Sequence, residues 1–163
     1  MENPFWNFSL AVYNRPGVPE ACIRLQDEYG ADVNLVLFIL WQASEGREMT
    51  PQGVAGVEAA VGEWQSEVVR PLREVRRWLK QNHLAGSQSG ALRDAFKKLE
   101  LESERLQQER MAGLPEPEHL PADAMETAAT TALGHYAALL KTLFPPAAVS
   151  TLTAAASERA GLS

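Results

Sequence analysis

An all-α fold, a compact helical bundle with a C-terminal helical hairpin, follows from three observations on the sequence. Apolar residues recur at intervals of three and four over long stretches. Helix punctuation separates those stretches, with Asn3-Pro4, Asp32 and Thr50-Pro51 at starts and Gly30 and Gly46 at ends. No alternating pattern is strong enough to predict a strand.

The first helix begins at Asn3-Pro4, carries Phe5, Phe8, Leu10, Val12 and Tyr13, and stops at Pro16-Gly17. Pro19 opens a short second helix with Ala21, Cys22, Leu25 and Tyr29, closed by Gly30. Asp32 caps a third, Val33 to about Ser44, apolar nearly all round and therefore expected at the centre of the core. Thr50-Pro51 opens the longest pattern, in which Val54, Val57, Val61, Trp64, Val68, Leu72, Val75 and Leu79 form one seam. That seam crosses Pro71, where the missing backbone donor predicts a bend. Gly53, Gly56 and Gly62 leave room for the close approach of another helix.

A flexible loop over 85–90 comes next, then a charge-rich helix, 91–111, with Leu92, Phe96, Leu99, Leu101 and Leu106 as its narrow apolar face. A proline-punctuated turn leads to an alanine-rich helix, 124–143, stopped by Pro145-Pro146. The weakly patterned tail beyond it is expected to fray. Two units result, a helical core unit over 1–83 and a hairpin of 91–111 and 124–143 within 84–163, both parts of one domain.

A chain of 163 residues fits one domain and buries enough surface to fold without metal or disulfide. With 45% hydrophobic and 22% charged residues it has the composition of a globular protein. A formal net charge of −6 argues against general nucleic-acid binding. The single cysteine, Cys22, fits a reducing cytoplasm and reads as a buried, inert thiol, since a reactive one needs an electropositive, accessible setting. No secretory leader is evident, and the longest apolar run, Leu35 to Trp41, is far short of the roughly 20 residues that span a bilayer. A cytoplasmic protein without membrane contact is expected.

Catalytic signatures are missing. His83, His119 and His135 are scattered and match no metal-ligand spacing, so neither a metal nor a cofactor is expected. Gly53-Val-Ala-Gly56 lacks a phosphate-loop pattern, and no nucleophile elbow occurs.

Three constellations remain. Arg70, Arg73, Arg76, Arg77 and Lys80 fall on one helix face, opposite the Val68/Leu72/Val75/Leu79 seam. They form either a dock for an acidic protein partner or a solvated face stitched by Glu67–Arg70, Arg70–Glu74 and Glu74–Arg77 pairs. Trp6, Tyr13, Asn34 and Trp41 either line a pocket together with an arginine or are simply core, the Asn34 amide needing a partner in both cases. Ala124, Ala128, Ala132, Tyr136 and Leu139-Leu140 form a stripe through which the C-terminal helices could pair between chains as a homo-oligomer.

The run Phe5-Trp-Asn-Phe-Ser-Leu-Ala-Val-Tyr13, then Pro19-Glu-Ala-Cys22, Leu25-Gln26, Gly30 and Asp32 to Trp41, resembles a family of uncharacterised, mainly proteobacterial proteins of about this length. Trp64, Val69-Val-Arg-Pro-Leu-Arg73 and Arg76-Arg77 extend the resemblance over roughly residues 3 to 83. It implies a bacterial, cytosolic protein and carries no activity, cofactor or catalytic residue. The function expected from the residues is that of a non-enzymatic helical adaptor using its basic face. The alternative is a small-molecule binder or enzyme with an aromatic pocket.

Overall fold

A computed structural model describes residues 3–82 and 87–160. Helix α1, Pro4–Tyr13, is capped by Asn3, whose Oδ1 accepts from the Phe5 and Trp6 amides. Helix α2, Val18–Tyr29, lies between Gly17 and Gly30, both in the left-handed region that glycine adopts without strain. Helix α3, Val33–Ser44, is capped by Asp32 and is the central element, with Leu35 through Leu40 all buried. Phe5 of α1 stacks on Trp41 and meets the Phe38 edge, with ring centroids 5.2 and 5.3 Å away.

Strand β1, Arg47–Met49, pairs antiparallel with β2, His119–Pro121, setting Met49 opposite His119. This small sheet has no counterpart in the sequence pattern, because three residues per strand are too few to show alternation. His119 is spent locally, its Nδ1 2.9 Å from the Pro117 carbonyl. His83 lies outside the described residues.

Helix α4, Pro51–Trp64, continues through a π turn, Gln65–Val69, into α5, Arg70–Gln81. Pro71 has no N–H for the Glu67 carbonyl and its ring crowds that group, so the ladder widens by one residue just before it. The extra residue rotates everything after it. Val69 and Arg73 therefore turn inward, while Val75 and Trp78 are 40% and 54% exposed. The expected continuous seam is broken at Val69, and α5 buries Arg73 as well as Leu79.

Helix α6, Ser87–Ala112, packs along α5 and reaches α1, α3 and α4. Trp64 Nε1 donates to the Ser103 carbonyl at 2.9 Å, and the Arg110 guanidinium lies over the Trp64 ring. The inward face of α6 is polar, with Glu100, Ser103, Gln107 and Gln108 buried beside Met111. The leucines expected to face the core, Leu92, Leu99 and Leu101, point outward.

The C-terminal hairpin exists, but α7, Met125–Leu139, and α8, Pro146–Ala160, form it. Lys141, at φ 57°, ends α7 in a left-handed turn before the two prolines. Helix α6 is not part of that hairpin. The tail expected to fray is helical because Leu152, Ala155 and Ala156 are buried in the same core as α2 and α3. Ala128, Ala132 and Tyr136 of the alanine stripe likewise face inward, onto elements of their own chain. Among the described residues no helix is long and apolar enough to cross a membrane.

Candidate functional site

Helices α1, α2, α3, α5 and α6 leave a cavity of about 260 Å³ between them. Ridge spacing on α1 brings Trp6, Ser9 and Tyr13 to one wall, since residues three and four apart share a helix face. The start of α3 contributes Asp32 and Asn34, α5 contributes Arg73, and α6 contributes Glu100, Glu104 and Gln108. Leu10 and Ile23, 44% and 46% exposed, stand at its solvent side.

The arginines are held by α6. Arg73 Nε and Nη2 donate to Glu100 Oε1 and Glu104 Oε1 at 3.2 and 3.1 Å, and Arg76 donates to both oxygens of Glu100. Arg77 pairs with Asp27 of α2 at 3.0 Å. The five-cation face thus spends Arg73, Arg76 and Arg77 inside the chain, leaving Arg70 and Lys80 on the exposed side of α5. Of the helix-internal pairs weighed from the sequence, the one between Glu74 and Arg77 gives way to a pair between helices, Arg77 with Asp27.

Beneath the arginines runs a chain of amides. Gln108 Nε2 donates to Asn34 Oδ1, Asn34 Nδ2 to Gln107 Oε1, and Gln107 Nε2 to Asp32 Oδ2, at 3.0, 3.0 and 2.6 Å. The other Asp32 oxygen caps α3 by accepting from the Asn34 amide at 2.9 Å. The Asp32 amide donates to the fully buried Tyr136 hydroxyl oxygen at 2.7 Å, which ties the relay to α7. Two polar atoms on cavity-lining residues have no partner at all, Ser9 Oγ and Gln108 Oε1.

Burial pushes the Asp32 and Glu104 carboxyls above the ordinary carboxylate range, with the Arg73 charge pulling the other way. Burial also raises the Tyr13 phenol. Cys22 lies in the core away from the cavity, its thiol pushed up to about 12 by burial, as its inert reading requires.

Of the sequence-predicted pocket residues, Trp6, Tyr13 and Asn34 line one cavity together with an arginine, Arg73. Trp41 does not join them. It packs on Phe5 and Phe38 because the inward side of α3 turns it into the aromatic core. Sequence reasoning missed Ser9, Glu100, Glu104, Gln107 and Gln108, and saw Asp32 only as a cap. The available signal was the recurrence of Glu100, Glu104, Gln107 and Met111 at helical spacing, matching the spacing of Arg73 and Arg76 on the preceding helix. Among the described residues no cluster of three or more His, Cys, Asp or Glu could hold a metal ion.

Fold and cavity together define an all-α protein with a solvent-open cavity between its helices, walled by apolar side chains, amides and paired charges. The chain belongs to a family of proteins of unknown function (DUF2390), whose family model matches residues 4–111. No curated protein sequence and no solved structure matches it. The matched segment runs from α1 to the end of α6, beyond the expected limit near residue 83, and contains every side chain that walls the cavity.

Proposed function

We propose that this protein binds a small molecule in the cavity between α1, α2, α3, α5 and α6. One observation carries the reading: five helices leave a cavity of about 260 Å³, walled by Trp6, Tyr13 and Leu37 and edged by the polar groups of Asn34, Arg73 and Glu104. Small-molecule sites are concave and mainly apolar with a few polar groups that fix orientation, and this cavity has that make-up. Trp6, Tyr13, Val33 and Leu37 supply apolar walls, and the amide relay supplies directional hydrogen bonding.

Leu10→Trp tests the site at its mouth without touching the core. Ligands found by a thermal-shift screen of metabolites against the wild type are expected to lose their stabilising effect in this variant. Unliganded stability should stay within about 0.5 kcal/mol, as for other surface substitutions. A screen whose hits are unaffected by the tryptophan overturns the proposal.

A second reading keeps an acidic protein partner on α5. Only Arg70 and Lys80 support it now, because both are exposed on that helix. Loss of such a partner on reversing both to Glu, with the ligand screen unchanged, would favour this reading. A reducing, cytoplasmic setting accords with either reading and with the single buried thiol of Cys22.

A further inference from the structure

The charges in and behind the cavity wall do not balance. Three guanidiniums, Arg73, Arg76 and Arg77, meet four carboxylates, Asp27, Asp32, Glu100 and Glu104. Asp32 accepts at both oxygens, from the Asn34 amide and from Gln107 Nε2. Glu100 also accepts at both, from Arg73 and Arg76. Asp27 takes Arg77 Nη2 on its two oxygens at 3.0 and 3.4 Å.

Glu104 differs. Its Oε1 accepts from Arg73 Nη2 at 3.1 Å, whereas its Oε2 accepts from no described residue. That oxygen is open where Ser9 Oγ and Gln108 Oε1 are sealed, and the Glu104 side chain is 29% exposed. The Glu104 charge reaches the Tyr13 phenol on the α1 wall and helps to raise it. Tyr13 and Trp6 are only partly buried, so both rings keep surface for an occupant, and aromatic faces attract cations. An anion finds no such opening, because each arginine of the wall is already held by a carboxylate.

We propose that the cavity takes a protonated amine on a compact apolar or aromatic body, the ammonium donating to Glu104 Oε2 and the body lying against Trp6, Tyr13 and Leu37. This rests on the cavity being the binding site. The ligand's cation supplies the positive charge that the wall lacks, and Glu104 then has Arg73 on one oxygen and the ammonium on the other. Charge-assisted hydrogen bonds of this kind are stronger than neutral ones, and partial burial strengthens them further.

Phenethylamine, phenethyl alcohol and phenylacetate are the probes, close in size and carrying an ammonium, a hydroxyl and a carboxylate. By titration calorimetry at neutral pH, the wild type is expected to bind the amine about tenfold more tightly than the alcohol, with phenylacetate the weakest of the three. Glu104→Gln keeps the side-chain length and an oxygen for Arg73 but removes the charge. It should bring the amine within about twofold of the alcohol and leave the alcohol as in the wild type. The wild-type ranking needs no variant and carries the test if Glu104→Gln fails to fold. A wild type that does not favour the amine, or a folded Glu104→Gln that keeps the tenfold margin, overturns the amine assignment while leaving the cavity reading intact, provided that Leu10→Trp abolishes binding of the probes. Failure of the wild type to bind any of the three overturns this inference alone, since the metabolite screen judges the cavity independently. Binding that survives Leu10→Trp overturns both.

Discussion

Glu100 is almost wholly buried and accepts from Arg73 and Arg76 of the neighbouring helix. Arg73 is equally enclosed and also reaches Glu104, which is partly open to solvent. Removing one member of a buried pair leaves the other charge uncompensated, and this penalty exceeds the net worth of the pair. Arg73→Met is therefore expected to lower unfolding stability by about 3 kcal/mol in urea titration. Arg77→Met breaks only the half-exposed pair with Asp27, and its cost should stay below about 1 kcal/mol. Equal losses in the two variants would show that the α5–α6 seam is as solvated as the surface.

Helix α4 shows how one position can reverse a substitution rule. Gly56 has open space where a Cβ would go, so Gly56→Ala should stabilise by about 0.5–1 kcal/mol through helix propensity. At Gly53 the same methyl would lie 2.1 Å from the Glu118 carbonyl oxygen. The approaching chain there is the extended segment entering β2, rather than the helix expected from the sequence. Gly53→Ala should cost about 2 kcal/mol, measured by thermal or urea unfolding beside Gly56→Ala. The same helix explains what the sequence could and could not convey. Asn3, Asp32 and Thr50 cap the helices that they were expected to cap, because a side-chain acceptor facing the next amides is a local matter. Local rules fail just before Pro71, where the extra residue taken up by the π turn decides which side of α5 is buried. They fail again on α6, where Glu100 and Gln107 are inward because their partners lie on other helices. A polar inward face reads as solvent-facing until its partners are known, and for that reason half of the cavity was invisible in the sequence.

Global stability gathers what the elements impose on one another, and pH exposes it. Asp32 of the α2–α3 turn and Glu104 of α6 both have carboxyls raised by burial. In the window from their unfolded values near 4 up to their raised folded values, the folded state holds more protons than the unfolded one. Their contribution to stability is therefore fully present below that window and is lost as the pH rises through it. Glu104→Gln removes one such group, so the stability of this variant relative to wild type should be greater at pH 7 than at pH 4, read from urea midpoints. A difference independent of pH would mean that the Glu104 carboxyl keeps its ordinary affinity for protons. One contact ties these groups to the far end of the chain: the Asp32 amide rests on the Tyr136 hydroxyl, 104 residues away. During synthesis the walls of the cavity leave the ribosome well before α7 does, yet the turn that carries Asp32 is secured only when that helix docks. Long-range closures of this kind are the slow steps of folding. The finished cavity is thus a late property of the nascent protein, acquired with its final helices.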